Sequence, residues 1–252
     1  ILGDKDNTIQ IIGSNYNPGN IICLGNNIKI NFINMKNLKY PNLQGFDLYA
    51  GFNIINANVK LSNVTISDFI GEDMLNLINS NSLMKNIIFL NSKSDALDID
   101  KGSMKFKNIF CNNIGNDCID TSNTHLEGEN LKSDFVQDKT LSLGEKSIAN
   151  IKDIEIVNSE IGIAVKDASE ANLENILFER TALPVAVFVK KSEYGPASLV
   201  AKKIKLKNSN EIFLVDNLSN LVIENKKIKG SFTGQEIESQ LYGNTYGKAT
   251  LR

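Results

Sequence analysis

Tryptophan is absent from the 252 residues, histidine occurs once and proline four times. Three cysteines, Cys23, Cys111 and Cys118, are too few for a disulfide-dense scaffold and show no metal-ligand spacing. They read as small core residues. A single histidine, His125, rules out any histidine cluster and is expected in a turn away from the repeated face. No apolar run is long enough to cross a bilayer as a helix, since the longest, Leu183–Val189, is short and contains Pro184. A net charge of −2 with interspersed signs argues against a nucleic-acid partner and against a basic amphipathic helix that would lie on a membrane. The chain opens at Ile1 without methionine or a charged-then-apolar leader. That start is expected if a signal peptide, or the preceding part of a larger multidomain protein, has been removed.

What is abundant is repetition. The phrases SDALDID (94–100), GNDCIDTS (115–122) and QDKTLSLGEKS (137–147) return aspartate to one phase, Asp95 to Asp117 and Asp98 to Asp120 each being 22 positions. Lys139 and Ser142 fall 22 further on. An Asn or Asp recurs at Asn63, Asn86, Asn108, Asn130, Asp153 and Asn175, in steps of 23, 22, 22, 23 and 22. Around Asn108, Met104 and Phe106 before it and Ile109 and Cys111 after it share the apolar phase. The alternation is therefore period 2 on both sides but breaks at the Asn, which marks a corner that a left-handed residue would turn. A third strand carries inward pairs Leu97/Ile99, Ile119/Thr121, Leu141/Leu143, Ile163/Val165 and Val185/Val187.

A fixed period of this size is the signature of a solenoid whose coils stack on one another. The predicted fold is all-β, a single-stranded right-handed parallel β-helix with three short strands per coil and a short C-terminal capping helix. Its expected extent is 1–230, with a cap and tail over 231–252. The register loosens before Leu61, where SNYNPGN (14–20) and an insertion at Tyr40–Asn53 interrupt it, and again at KKSEYGPAS (190–198). Thr233 followed by Glu236 is a capping box, with Ile237 and Leu241 at helical spacing and Gly243 as a stop. Such a helix is expected over the last coil, where it would cover open strand edges.

Three outward columns accompany the third strand. The first is Asn76, Asp98, Asp120, Ser142, Ala164 and Ala186; the second is Ile78, Asp100, Ser122, Gly144, Lys166 and Phe188; the third, in the preceding turn, is Asp73, Asp95, Asp117 and Lys139. With coils about 4.8 Å apart, these place six aspartates in one exposed acidic patch beside Lys139 and Lys166. Carboxylates so close repel, so protons or a hard cation must relieve them, and oxygen ligands of this type suit Ca²⁺. The candidate ligands are Asp95, Asp98, Asp117 and Asp120. Bonding of the same side chains to their own turns is an equally good account of the column. Lys139 stands where earlier coils carry Asp, either as a salt-bridge cap or as a base. Asp100, Lys190, Lys191 and Tyr194 are candidate substrate contacts, the last three from the insertion flanking the face.

These residues resemble pectin-lyase-like right-handed β-helix proteins. The phrases EDMLN (72–76), SDALDID, GNDCIDTS, IGIAVKDAS (161–169), KKSEYGPA (190–197) and LYGNTYGK (241–248) look most like β-helix regions of bacterial surface proteins, some of which accompany a spore-coat-kinase-like domain. The resemblance implies an extracellular or cell-surface bacterial protein that acts on an acidic polysaccharide. Hydrolysis of the polygalacturonase kind is poorly matched, because Asn116, Lys139 and Ala164 stand where that mechanism places an acid, a histidine and an arginine. Calcium-dependent pectate lyases are the better match. The expectation is a Ca²⁺-assisted lyase or epimerase with Lys139 or Lys166 as base, its rival a non-catalytic surface β-helix that binds glycan or serves a structural role.

Overall fold

The computed structural model describes residues 1–14, 19–41 and 48–246. Tyr16, Pro18 and Gly45 of the early irregular segments, and the tail beyond Tyr246, lie outside the described residues. The chain forms a parallel β-solenoid of about nine turns with one short C-terminal helix. Strand pairing is parallel from coil to coil, in register Leu75↔Leu97, Leu97↔Ile119 and Ile119↔Leu141. The exception is a terminal hairpin, where Asn220–Ile223 pairs antiparallel with Lys226–Ile228.

Each coil contributes one segment to each of three sheets. The first contains 58–62, 81–85, 103–107, 125–129 and 148–152, the second 64–67, 87–90, 109–112 and 131–134, and the third 73–78, 95–100, 119–122, 139–144, 161–166 and 183–188. Inward residues of the third sheet, among them Leu97, Ile99, Ile119, Leu141, Leu143, Ile163 and Val165, are sealed from solvent in the central core. The alternating pattern thus has the meaning that its period implies.

Three corners turn each coil, and all three use left-handed backbone. Between the first and second sheets stand Asn63, Asn86, Asn108, Asn130, Asp153 and Asn175, with φ between 53° and 63°. Asn86 donates to Asn63, Asn108 to Asn86 and Asn130 to Asn108 through side-chain amides at 2.7–2.8 Å. A second column at Asp68, Asn91, Asn113 and Asn158 and a third at Asn56, Asn79 and Asn123 have the same conformation. Asn tolerates it because its short polar side chain bonds locally, and stacking lets each amide bond to the next coil. His125 lies within a strand of the first sheet, exposed, and not in a turn.

Cys111 and Cys118 form a disulfide, with Cα atoms 5.9 Å apart, which corrects their reading as separate core residues. Both are fully buried. The six residues between them turn a corner, so two inward side chains meet across the coil interior. One coil on, Ser133 and Thr140 occupy the same two positions, and their hydroxyls are 2.8 Å apart. Cys23 is a free, half-buried thiol.

The helix α1 (Gly234–Leu241) begins at the expected capping box: Thr233 accepts from the Glu236 N–H and Glu236 from the Thr233 N–H. Its position departs from the expectation. Ile237 and Leu241 pack against Ile161, Leu183, Ala186, Phe188 and Leu214, the outward side chains of the third sheet. The apolar outward residues of the last three coils need a cover, and the apolar stripe of α1 supplies it. The helix therefore lies along the face that carries the aspartate columns, not across the end of the stack.

Candidate functional site

The turn column and the strand column behave differently. Asp95 and Asp117 are 8% and 3% exposed, and Lys139 is 2% exposed. Asp95 Oδ1 accepts the Asp117 N–H at 2.7 Å, and Asp117 Oδ1 accepts the Lys139 N–H at 2.9 Å. Each carboxylate thus satisfies a backbone donor one coil ahead, which a bending turn leaves without a ladder partner. At Lys139 the chain of carboxylates ends in charge: its Nζ lies 3.1 Å from Asp117 Oδ1 and 2.6 Å from Asp138 Oδ2. Lys139 is the salt-bridge cap of the column.

Burial sets the protonation of these groups. It raises the Asp95 carboxyl well above the usual range, with Asp117 and Asp120 adding to the effect. Burial likewise pushes Asp117 up to about 7, against the pull of the Lys139 ammonium and with the push of Asp138. For Lys139 burial acts downward, but Asp117, Asp138 and Tyr242 outweigh it and hold the ammonium well above its usual value. Lys166, 7% exposed, is drawn down by burial and raised further by Tyr242 and Asp120. Its Nζ donates to Ser142 Oγ at 2.9 Å. Both lysines keep their protons at neutral pH.

The strand column runs Asn53, Asn76, Asp98, Asp120, Ser142, Ala164, Ala186 and Leu214 in strict register. Asn53 and Asn76 are buried, as are Ser142 and everything beyond it, where α1 covers the face. Within this column Asp98 and Asp120 are half exposed, and at the next outward level so are Ile55, Ile78, Asp100 and Ser122. Along the strand column itself, buried residues on either side leave two coils open. Within this notch, burial and then Asp120 raise the Asp98 carboxyl well above its usual range. Burial and Asp120 raise Asp100 in the same sense. Asp120 Oδ1 accepts the Thr121 N–H at 3.0 Å.

The flanking insertion gives one margin of the notch. Lys190 lies 4.0 Å from the centroid of the Tyr242 ring, and Lys139 approaches that ring at 5.2 Å. Such contacts hold an aromatic side chain in place between two ammonium groups. Lys191 pairs with Glu145, and Lys146 lies over Tyr194 at 5.8 Å. Asp167 Oδ1 accepts the Lys190 and Lys191 N–H groups, fixing the root of the insertion. Tyr242 was not anticipated as part of the site. Its only sequence signal was its place after Leu241, on a helix whose docking face no local pattern specifies.

The structure therefore brings Asp98, Asp100 and Asp120 together with Lys166 behind them, and separates Asp95, Asp117 and Lys139 into a buried ladder. Among the described residues, no three Asp, Glu, His or Cys side chains converge to hold a metal ion. The four candidate calcium ligands are thus not gathered around one point.

No family model matches the chain, and no curated protein does. Solved structures with a similar course include the catalytic domain of a GH87 α-1,3-glucanase in complex with nigerose, at 10% identity and a TM-score of 0.47. That match covers 90% of this chain, which spans 58% of the glucanase domain. A pectate lyase from Paenibacillus sp. 0602 matches at 9% identity and a TM-score of 0.43, covering 89% of this chain and 74% of the lyase. PfbA, a surface adhesin of Streptococcus pneumoniae, matches at 11% identity and a TM-score of 0.26, over 87% of this chain and 80% of the adhesin. At this level the likeness is one of architecture.

Proposed function

We propose that the protein is a carbohydrate-active β-helix that eliminates across, or epimerises, a uronate residue of an acidic polysaccharide bound at the Asp98–Asp120 notch. The observation that carries this reading is the one open stretch of an otherwise covered outward column. It presents two carboxyls in adjacent, paired positions, and one of them is driven toward its protonated form by burial and by the other. Asp98 is thereby fitted as an acid, with a second carboxyl group beside it.

The roles follow from charge. Lys139 and Lys166 hold their protons and so serve as cations, not as bases. In this reading the Lys166 ammonium, buried behind the notch and held on Ser142 Oγ, attracts the uronate carboxylate through space, which acidifies the neighbouring carbon-bound proton. Asp120 takes that proton as the carbon–carbon double bond forms and the glycosidic carbon–oxygen bond breaks. Asp98 gives its own proton to the leaving oxygen. Return of a proton to the opposite face of the same carbon, without bond cleavage, is epimerisation. Asp100, Lys190, Lys191 and Tyr194 line the approach as substrate contacts.

Calcium stays part of this proposal at the notch in company with the uronate carboxylate, since among the described residues no three protein carboxylates converge on one point and one oxygen each of Asp95 and Asp117 accepts from the backbone of the next coil. A proton on Asp98 relieves the same repulsion, and no step above requires the ion. An extracellular or bacterial cell-surface setting, including the surface-protein and spore-coat-kinase-like context, stays part of the proposal. The buried Cys111–Cys118 disulfide favours an oxidising compartment.

Incubating uronate polymers with the protein, with and without Ca²⁺, tests the reading. Elimination yields an unsaturated, ultraviolet-absorbing product, and Asp120→Asn and Asp98→Asn should each lower its rate about 10²-fold or more while leaving the fold intact. Epimerisation is read by NMR of the recovered polymer. If no uronan yields either product, the catalytic reading falls. A glycan-binding or structural solenoid then remains, favoured by the purely structural use of Asp95, Asp117 and Lys139.

A further inference from the structure

The outer surface of the first sheet is divided by charge along the solenoid axis. In its early coils the outward positions are Asn27, Lys29 and Asn31, then Asn58, Lys60 and Ser62, Asn81, Leu83 and Lys85, and Ser103, Lys105 and Lys107. Five are lysines and none is acidic. Carboxylates enter one coil later, at Glu127 and Glu129, where they take Lys105 and Lys107 as partners at 2.9 and 3.3 Å. Lys29, Lys60 and Lys85 have no carboxylate within ion-pairing distance among the described residues. A chain of net charge −2 therefore concentrates uncompensated positive charge on one face.

That face is concave. Two adjoining grooves of about 620 and 650 Å³ share Lys60, Leu83, Lys105 and Glu127. Leu83, 52% exposed, sits in register between Lys60 and Lys105. Beside the lysines runs a line of amides and a hydroxyl, in which Asn81 donates to Asn58 and Ser103 to Asn81. The groove thus offers ammonium groups at the coil spacing of about 4.8 Å, neighbouring polar groups for hydroxyls, and an apolar shelf. A solvated lysine face would need none of these to coincide in two adjoining concavities.

We infer that this groove binds a linear anionic polysaccharide, carboxylated or sulfated, along the solenoid axis, as a site separate from the Asp98–Asp120 notch on the third sheet. Lys29, Lys60 and Lys85, one on each of three successive coils, match a polymer that repeats its charge with each sugar or two. Nucleic acid is the poorer fit, since Phe106 is 4% exposed and His125 is a single exposed ring, where successive bases would need a series of them. The inference goes beyond the proposed chemistry, because anchoring at this groove requires no turnover at the notch.

Titration calorimetry on the Asp120→Asn protein, in which the notch cannot consume the probe, tests it. The probes are a size-defined oligogalacturonate, a sulfated galactan oligosaccharide, a neutral oligosaccharide of equal length and a single-stranded DNA. The expected result is binding of at least one anionic sugar that weakens as salt rises and drops tenfold or more in Lys60→Glu/Lys85→Glu. Leu83→Ala should weaken it by a smaller factor. Absence of binding, equal affinity in the double variant, equal binding of the neutral sugar, or tighter binding of the DNA would each overturn the inference. Turnover by the wild type reads the notch independently, so either proposal can fail alone.

Discussion

Asp117 and Asp120 are three residues apart on one coil, and they lead opposite lives. Asp117 belongs to a column whose oxygens accept the N–H groups of the next coil and which ends on the Lys139 ammonium. Asp120 belongs to a column that is covered from Ser142 onward and at Asn76 and before, while it and Asp98 stay half open. A repeat copies residue types to both positions with equal fidelity, so periodicity by itself does not distinguish a girder from a reactive group. What distinguishes them is reach: a carboxylate in the turn meets a backbone donor of the next coil, and Asp120 in the strand meets the N–H of its own neighbour Thr121, solvent and whatever enters the notch.

The largest expected effect falls on the turn column. Lys139→Ala leaves Asp117 and Asp138 buried without their cation and should cost about 3–5 kcal/mol in chemical denaturation. Lys166→Ala, which removes a bond to a neutral hydroxyl, should cost less. Similar losses for the two would erase the distinction between cap and site.

Next in size is the staple beside the turn column. Replacing Cys111 and Cys118 with Ser and Thr reproduces the hydroxyl pair of the following coil and should lower stability by about 2–3 kcal/mol, the loop-entropy value for so short a ring. The decrease should vanish when both proteins are compared in reductant. A decrease that persists there would mean that packing, not the crosslink, holds Asp117 in place.

A smaller effect is expected from pH. Asp95, Asp98, Asp100 and Asp117 all have raised folded-state values, so the folded chain binds more protons than the unfolded chain above the ordinary carboxyl range near 3.8. The stability this confers is fully present below 3.8 and is lost as pH rises through the folded values, about 7 for Asp117. Denaturation midpoints should therefore fall from pH 4 to pH 7. Asp98→Asn should flatten the slope at no cost near neutrality, and a slope unchanged by it would place the linked protons in the turn column alone.

Much of this could be read from the sequence. The 22-residue step, the inward pairs of the third strand and the Asn corner each follow from local chemistry repeated at fixed phase, and the Thr233–Glu236 box needs only four residues. Burial of the columns was not legible, because it depends on Tyr242 and on the face to which Ile237 and Leu241 dock, and no short-range pattern encodes that choice. The six aspartates accordingly read as one exposed patch. The Cys111–Cys118 bond was also hidden, although Ser133 and Thr140 at the same seven-residue separation were the clue that two inward positions meet across a corner. The other two left-handed corners escaped because Lys101, Phe135 and Arg180 interrupt them.

The division of labour between the two columns is tested most directly by comparing the urea denaturation of Asp117→Ala and Asp120→Ala at pH 7. The substitutions remove the same atoms from one coil and require no knowledge of the substrate. Asp117→Ala should lose about 3 kcal/mol, because a backbone N–H and the Lys139 ammonium lose an acceptor. Asp120→Ala should stay within about 0.5 kcal/mol of the wild type or rise above it, as removal of a repelling, half-exposed charge implies. Equal losses in the two variants would contradict the account.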